Sequence, residues 1–349
     1  MSSSKKLLQA AAGNAGGGAL YAEDVFSTYL YAGNSSTQTI TNNIDLAGEG
    51  GMVWVKVRSE VQSHALFDTE RGATKSLNTN LTSAEGTISG VSAFNSDGFN
   101  LGSTFNSTNQ DYASWTFRKA EKFFDVVTYT GTGSAQTIAH NLGSSVGTLI
   151  VKRTDSASNW WTWHKDIGTN YLSLNTTGSQ AGGIVWNYTA PTDSVFTVGD
   201  DANTNGATYV AYLFASDAGG FGDDETESII KCGSYTGNGG TQSIDVGFEP
   251  QFLLVKNASA GSTNWRMVDT MRGWSAFNGT NSTFNQVAAN LSAAEADTGQ
   301  LALNSTGFQT FSGNGEVNGT GNTIIYIAIR RPMKTPESGT EVFAIDQVS

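Results

Sequence analysis

Cysteine occurs once in the 349 residues, at Cys232, and proline four times. A single thiol cannot close an intrachain disulfide or build a thiolate metal cluster. Nothing around Cys232 suggests a helix start that would lower its pKa, so it is expected to be a small buried thiol rather than a nucleophile. Charge is scarce as well, at 14% of residues against roughly 25% in an average soluble protein. The 19 basic and 31 acidic side chains leave a net charge of −12. With no basic stripe to displace counterions from a phosphate backbone, nucleic acid is excluded as a partner. No apolar run approaches the ~20 residues of a membrane helix; Ile324 to Ile329 spans six. Membrane insertion by a helix is excluded too.

In place of charge the chain carries 28 Asn, 37 Ser and 41 Thr, together 30% of its residues, with 41 Gly. These residues favour turns over helix interiors. Hydrophobic residues at 38% and aromatics at 11% still suffice for buried cores, which excludes wholesale disorder. The composition predicts an all-β protein of short strands and polar turns, and the length predicts two or three domains.

An internal repeat divides the chain. Tyr31-Ala-Gly33, Gln38-Thr-Ile40 and Gly51-Met-Val-Trp-Val-Lys56 recur as Tyr129-Thr-Gly131, Gln136-Thr-Ile138 and Gly147-Thr-Leu-Ile-Val-Lys152. They recur again as Tyr235-Thr-Gly237, Gln242-Ser-Ile244 and Pro250-Gln-Phe-Leu-Leu-Val-Lys256. Each unit is about 100 residues, the size of one β-sandwich. The expected plan is an extended N-terminal docking segment (1–24) and three tandem antiparallel β-sandwiches of jelly-roll or lectin-like type (25–120, 121–218 and 228–332). A flexible acidic Gly-rich linker (219–227) precedes the third unit, and a polar tail (333–349) follows it.

The first and third units share Asp68-Thr-Glu-Arg71-Gly72 with Asp269-Thr-Met-Arg272-Gly273, and Leu81-Thr-Ser-Ala-Glu85 with Leu291-Ser-Ala-Ala-Glu295; the middle unit lacks both. Asp68 with Arg71, and Asp269 with Arg272, read as structural turn pairs in which the Asp accepts turn amides and the Arg closes across it. Alternation in Tyr112-Ala-Ser-Trp-Thr-Phe117 places Trp115 and Phe117 on a buried face. The Val-Lys strands are apolar throughout, as in a strand covered on both sides, and the lysine is expected to mark where each strand emerges.

Catalytic patterns are missing. His64, His140 and His164 have no i, i+4 partner for zinc, and neither a G-x-S-x-G elbow nor a phosphate loop occurs. Asp200-Asp201 and Asp223-Asp224-Glu225 lie in Gly/Asn-rich loops, where they suit turn solvation or a loosely bound Ca²⁺ better than glycoside hydrolysis. No other cofactor is expected. Asn159-Trp160-Trp161-Thr162-Trp163-His164 is the strongest candidate surface, because aromatic faces serve as platforms for sugars. Aligning the units puts Phe67, Trp163 and Val268 in a core column. His64, Trp160 and Trp265 form one column facing away from it, and Asp68, His164 and Asp269 the next. The candidate carbohydrate-binding residues are therefore Trp160, Trp265, His64 and His164, with packing between units as the competing reading. Leu66 and Met267 fall in the same outward class.

At the N-terminus, Lys5 and Lys6 precede Leu7 and Leu8 in the manner of a secretion signal, but Gln9, Gly13 and Asn14 break the apolar stretch, so the segment is expected to be retained. Lys5-Lys-Leu-Leu-Gln-Ala-Ala-Ala-Gly13, Asp24-Val-Phe-Ser-Thr-Tyr-Leu-Tyr31, Leu66-Phe-Asp-Thr-Glu-Arg-Gly72, Phe94-Asn-Ser-Asp-Gly-Phe99 and Ser114-Trp-Thr-Phe-Arg-Lys119 resemble segments of tailed-bacteriophage virion proteins, notably from phages of marine bacteria. Each unit is also similar to the laminin-G and concanavalin-type jelly roll, at the level of fold analogy. The resemblance implies a non-enzymatic virion protein assembled in the host cytoplasm. It would be a tail-fibre-like appendage that docks on other virion proteins through Lys5, Lys6, Leu7 and Leu8, forms homo-oligomers, and displays surfaces for host glycans. A capsid decoration or collar protein is the alternative, and a glycan depolymerase a weaker one.

Overall fold

The computed structural model describes residues 18–277, 284–297, 299–311 and 313–335. The fold is all-β, built of antiparallel sheets; each sequence unit contributes one larger and one smaller sheet, and the first adds a two-stranded sheet of Lys75–Ser76 and Gly86–Thr87. In the first unit the larger sheet runs Phe26–Ala32, Asp111–Arg118, Gly51–Val57, Ala65–Asp68, so its last strand lies second in the sheet. The same order returns as Phe124–Thr130, Thr208–Ala215, Val146–Arg153, Trp160–His164 and as Ile230–Thr236, Thr323–Arg330, Pro250–Asn257, Arg266–Asp269. The smaller sheets pair Gln38–Thr41 with Gly98–Leu101, Gln136–Ala139 with Val195–Val198, and Gln242–Asp245 with Gly307–Thr310.

The Tyr-x-Gly signature is a local device repeated three times. The hydroxyls of Tyr31, Tyr129 and Tyr235 donate to the carbonyls of Phe105, Ala202 and Val317. The following glycine passes so close to the backbone at Ser107, Thr204 or Gly319 that a Cβ would overlap it. Tyr31 stacks on Tyr112 with ring centroids 4.8 Å apart, and Tyr129 on Tyr209 at 4.9 Å. Asn106, Asn203 and Asn318 close each turn from their amide groups onto Ser36, Ser134 and Gly240.

The two faces of each larger sheet are both buried. In the first unit Val53, Val55, Phe67 and Tyr112 turn toward the smaller sheet with Ile40, Phe99 and Leu101. Met52, Trp54, Leu66, Trp115 and Phe117, on the opposite face, join a core that also holds Phe124, Tyr212 and Phe214 of the second unit and Phe252, Leu254 and Met267 of the third. Phe117 stands where the three units meet, 5.6 Å from Phe214 and 6.2 Å from Phe252 by ring centroids. Period two in the closing strand thus separates a unit's own core from a shared one, not buried from exposed: Ser114 and Thr116 are as buried as Trp115.

The segments between units are equally tied in. The linker expected to be flexible buries Phe221, pairs Phe221 with Glu227, and donates from the Gly222 amide to the Leu20 carbonyl. Of the expected docking segment, residues 22–25 form a short helix that buries Ala22 and Val25 in the shared core. The Glu23 carboxylate accepts the amides of Met333 and Lys334. Leu20 and Met333 therefore lie beside the same loop. Lys5, Lys6, Leu7 and Leu8 lie outside the described residues.

Candidate functional site

Each unit reaches into its neighbour from the same positions, and the contacts run in a ring. The ammonium groups of Lys56, Lys152 and Lys256 do not emerge where their strands end, as the sequence suggested; they are fully buried. Lys56 donates to the carbonyls of Val57 (2.6 Å) and, across the seam, Ser292 (3.3 Å). Lys152 donates to Ser158 and across to Thr82, both at 2.8 Å. Lys256 donates to Asn257 (2.9 Å) and Thr263 (3.0 Å), and weakly across to Thr177. First reaches third, second reaches first, third reaches second. An ammonium so enclosed is stabilised by several carbonyl dipoles but stripped of water, and burial lowers each lysine to about 8.

The column proposed for sugar binding follows the same ring. Trp160 donates from Nε1 to the carbonyls of Asn78 (3.0 Å) and Leu81 (3.1 Å) in the first unit. Trp265 donates to Ser173 of the second at 3.1 Å. His64 takes the Trp54 indole N–H on Nδ1 at 2.9 Å and so presents Nε2–H to the Ala288 carbonyl of the third, at 3.1 Å. His164 takes the Asp166 amide on Nδ1 and faces the Tyr326 carbonyl with Nε2, 3.4 Å away. Trp160, Trp265, His64 and His164 are all 3% exposed or less. They do face away from their own sandwich, as alignment indicated, but the face they occupy is covered by the next unit. The carbohydrate platform is corrected accordingly: no ring in this set has a free face to stack on a sugar. Leu66 and Met267, apolar members of the outward class, belong to the same covered face.

The next column explains why the middle unit differs. Asp269 accepts the Arg272 amide at 2.9 Å and its Nε at 2.6 Å, while Arg272 Nη1 reaches Glu295 at 3.1 Å. Asp68, Arg71 and Glu85 repeat that arrangement. Each aspartate also accepts a donor from the closing strand of a neighbour: Trp115 Nε1 at 3.0 Å for Asp269, and the Tyr212 hydroxyl at 2.7 Å for Asp68. The third closing strand offers Ile327 at that position, which has no donor, and the second unit carries His164 and Ile167 in place of Asp and Arg. Donor, acceptor and counter-ion are lost together, which leaves no buried charge without a partner. Arg58 and Glu295 add a further ion pair across the third-to-first seam at 2.8 Å.

Burial makes this ring acid-sensitive. His164 is lowered to about 4 because its imidazole is desolvated, an effect that Asp166 and the Tyr326 carbonyl offset only in part. His64 is lowered well below its ordinary value, chiefly by burial and then by Lys56. Both rings are neutral when folded and protonate near pH 6.5 when unfolded. The unfolded chain therefore binds more protons below pH 6.5, and stability falls as the pH drops from about 6.5 to about 4. His164 alone is expected to remove roughly 3 kcal/mol over that window. Urea midpoints measured at pH 7.5 and pH 4.5 check this, and His164→Gln should flatten the slope.

The remaining candidates are accounted for without chemistry. Cys232 is buried, its thiol raised to about 12 by desolvation, and it accepts from the Thr148 hydroxyl at 3.3 Å. Asp200 and Asp201 begin a single turn of 3₁₀ helix, and Asp223 accepts the Tyr21 hydroxyl. Among the described residues no three His, Cys, Asp or Glu side chains are grouped to hold a metal ion. That Trp115, Tyr212 and the three lysines act as donors between units was not read from the sequence. A lysine ending an entirely apolar strand in all three units was the available signal.

The profile of a family described as Domain of unknown function (DUF7483) matches residues 22–332, from the short entry helix through the last strand of the third unit. No curated protein matches the chain.

Proposed function

The chain belongs to the DUF7483 family, and from that premise we propose that it is a non-catalytic structural protein of a tailed-phage virion, a tail appendage whose fused units present a rigid surface toward the host. One observation carries this reading: His64, the strand-end lysines Lys56, Lys152 and Lys256, the carboxylates of Asp68 and Asp269, and the indoles of Trp115, Trp160 and Trp265 are spent on fastening the three units to each other. An assembly held by buried ion pairs and indole hydrogen bonds suits a part that must keep its shape under load. The resemblance of the quoted segments to tailed-phage virion proteins supports the location, with the N-terminal segment as the anchor on neighbouring virion proteins.

Gold-labelled antibody against the protein, viewed on intact particles by electron microscopy, is expected to mark the tail end. Labelling spread over the capsid would replace this reading with that of a decoration protein.

A further inference from the structure

The three seams are not fastened equally. Third to first, Asp269 and Arg272 hold the Trp115 indole, Arg58 pairs with Glu295 at 2.8 Å, and the Thr79 hydroxyl donates to the Ala289 carbonyl at 2.6 Å. Second to first, Asp68 and Arg71 hold the Tyr212 hydroxyl. Between the third and second units the corresponding positions are His164, Ile167 and Ile327, which form no such group. Among the described residues the one ion pair across this seam is Lys231 with Asp217, 3.6 Å apart at the surface, where such a pair contributes little. The seam rests instead on neutral hydrogen bonds: the Trp265 indole on Ser173 at 3.1 Å, the Gln180 amide on the Ala258 carbonyl at 2.8 Å, Lys256 weakly on Thr177, and Cys232 with Thr148 and Ser216.

His164 stands where this seam is least filled. Beside its ring lies a cavity of about 10 Å³, room for a single water, walled by Ile150, Leu254, Trp265, Ile325 and Ile327 with Thr148 and Tyr326. No charged side chain lines it. Nδ1 takes the Asp166 amide at 3.2 Å, which caps the 3₁₀ turn Lys165–Ile167, and Nε2–H crosses the seam to the Tyr326 carbonyl at 3.4 Å. A proton added to Nδ1 would set one N–H against another, break the cap, and place a cation against hydrocarbon. The titratable groups around the ring are already committed. On its own turn Asp166 is paired with Lys165 at 3.0 Å, and outside lie Asp217 with Lys231 and Asp245 with the Gly247 amide. Burial keeps the Cys232 thiol and the Tyr326 phenol protonated. His64 holds the comparable place between the third and first units, but there Arg58–Glu295 and Asp269–Trp115 span the seam independently of the ring.

We propose that mild acid opens the ring at this one seam: protonation of His164 releases the third unit from the second while the other two seams stay shut. Trp265, Leu254 and Ile327 then turn toward solvent, and the linker 219–227 keeps the parted units joined. The device converts a closed ring into one that displays an apolar face.

Cys232 reports on the seam, because its thiol is buried between Thr148 and the Ala215 carbonyl of the second unit. The test is the rate at which dithiodipyridine, which reacts with thiols in acid as well as at neutral pH, modifies Cys232 in the full-length protein, divided by its rate in the urea-unfolded chain at the same pH. Between pH 7.5 and pH 5 that ratio should rise about tenfold or more, with the far-ultraviolet circular dichroism unchanged. His164→Asn, which retains an acceptor for the Asp166 amide, should keep Cys232 protected at pH 5, and His64→Gln should open as the parent does. Hydrogen exchange at pH 5, corrected for intrinsic rates, should quicken in residues 172–180 and 258–265 and stay slow in 58–66 and 288–295. Protection of Cys232 unchanged by acid, exchange quickened at all seams together, or a His164→Asn protein that opens like the parent would overturn the proposal. Should His164→Asn fail to fold, the exchange pattern of the parent decides alone.

Discussion

Replacing Asp269 with alanine is expected to lower the unfolding free energy by about 3–5 kcal/mol, the range for breaking a buried ion pair from one side. The carboxylate and its partner Arg272 are both fully buried. Its removal would strand a guanidinium that retains only Glu295 at 3.1 Å and the Met267 carbonyl at 3.1 Å, and would leave the Trp115 indole N–H without an acceptor. Trp115 would keep its position under the guanidinium, 5.1 Å from the ring centroid, but a cation–π contact does not replace a carboxylate in a dry site. The double variant Asp269→Ala/Arg272→Met should recover much of the loss, since it removes the charge along with its partner. Urea unfolding of the two variants side by side checks both statements, and a single variant as stable as the parent would show that the pair is dispensable.

Trp160→Ala is expected to cost a similar amount, about 3–5 kcal/mol, for a different reason. Deleting a buried indole removes its transfer free energy and leaves a void that the surrounding sheets close only partly. Two carbonyls of the first unit, at Asn78 and Leu81, would also lose their donor. A sugar platform would behave in the opposite way, with weaker adsorption to cells and an unchanged melting temperature. Thermal melts and host adsorption measured on the same preparation separate the two; lost adsorption at full stability would contradict the burial described above.

Much of the architecture was legible in the sequence because it is written three times. The Tyr-x-Gly turn, the apolar Val-Lys strand and the aromatic closing strand each have a local cause, and a local cause leaves a local pattern. Alternation in residues 112–117 told which side chains share a face. It could not tell what lies on that face, because period two encodes direction and not the identity of the covering layer. Trp160, Trp265 and Leu66 were therefore correctly grouped as outward, and only the fold shows another unit there. Lys56, Lys152 and Lys256 misled for a related reason: a lysine after an apolar run ordinarily reaches water, and the carbonyls that receive these come from loops far away in sequence. The exchange of Asp for His164, Arg for Ile167 and an aromatic donor for Ile327 was visible as three separate differences, and their connection is visible only across the seams.

The position of Leu20 and Met333 beside residues 219–227 has a mechanical consequence. A pull applied through Leu20 and Met333 would not run in series through the three sequence units. It would act first on the few bonds at that one corner, the Gly222 amide on Leu20 and the Glu23 carboxylate on Met333 and Lys334. Those bonds open one at a time, as in a zipper, while the ring behind them carries no tension until they part.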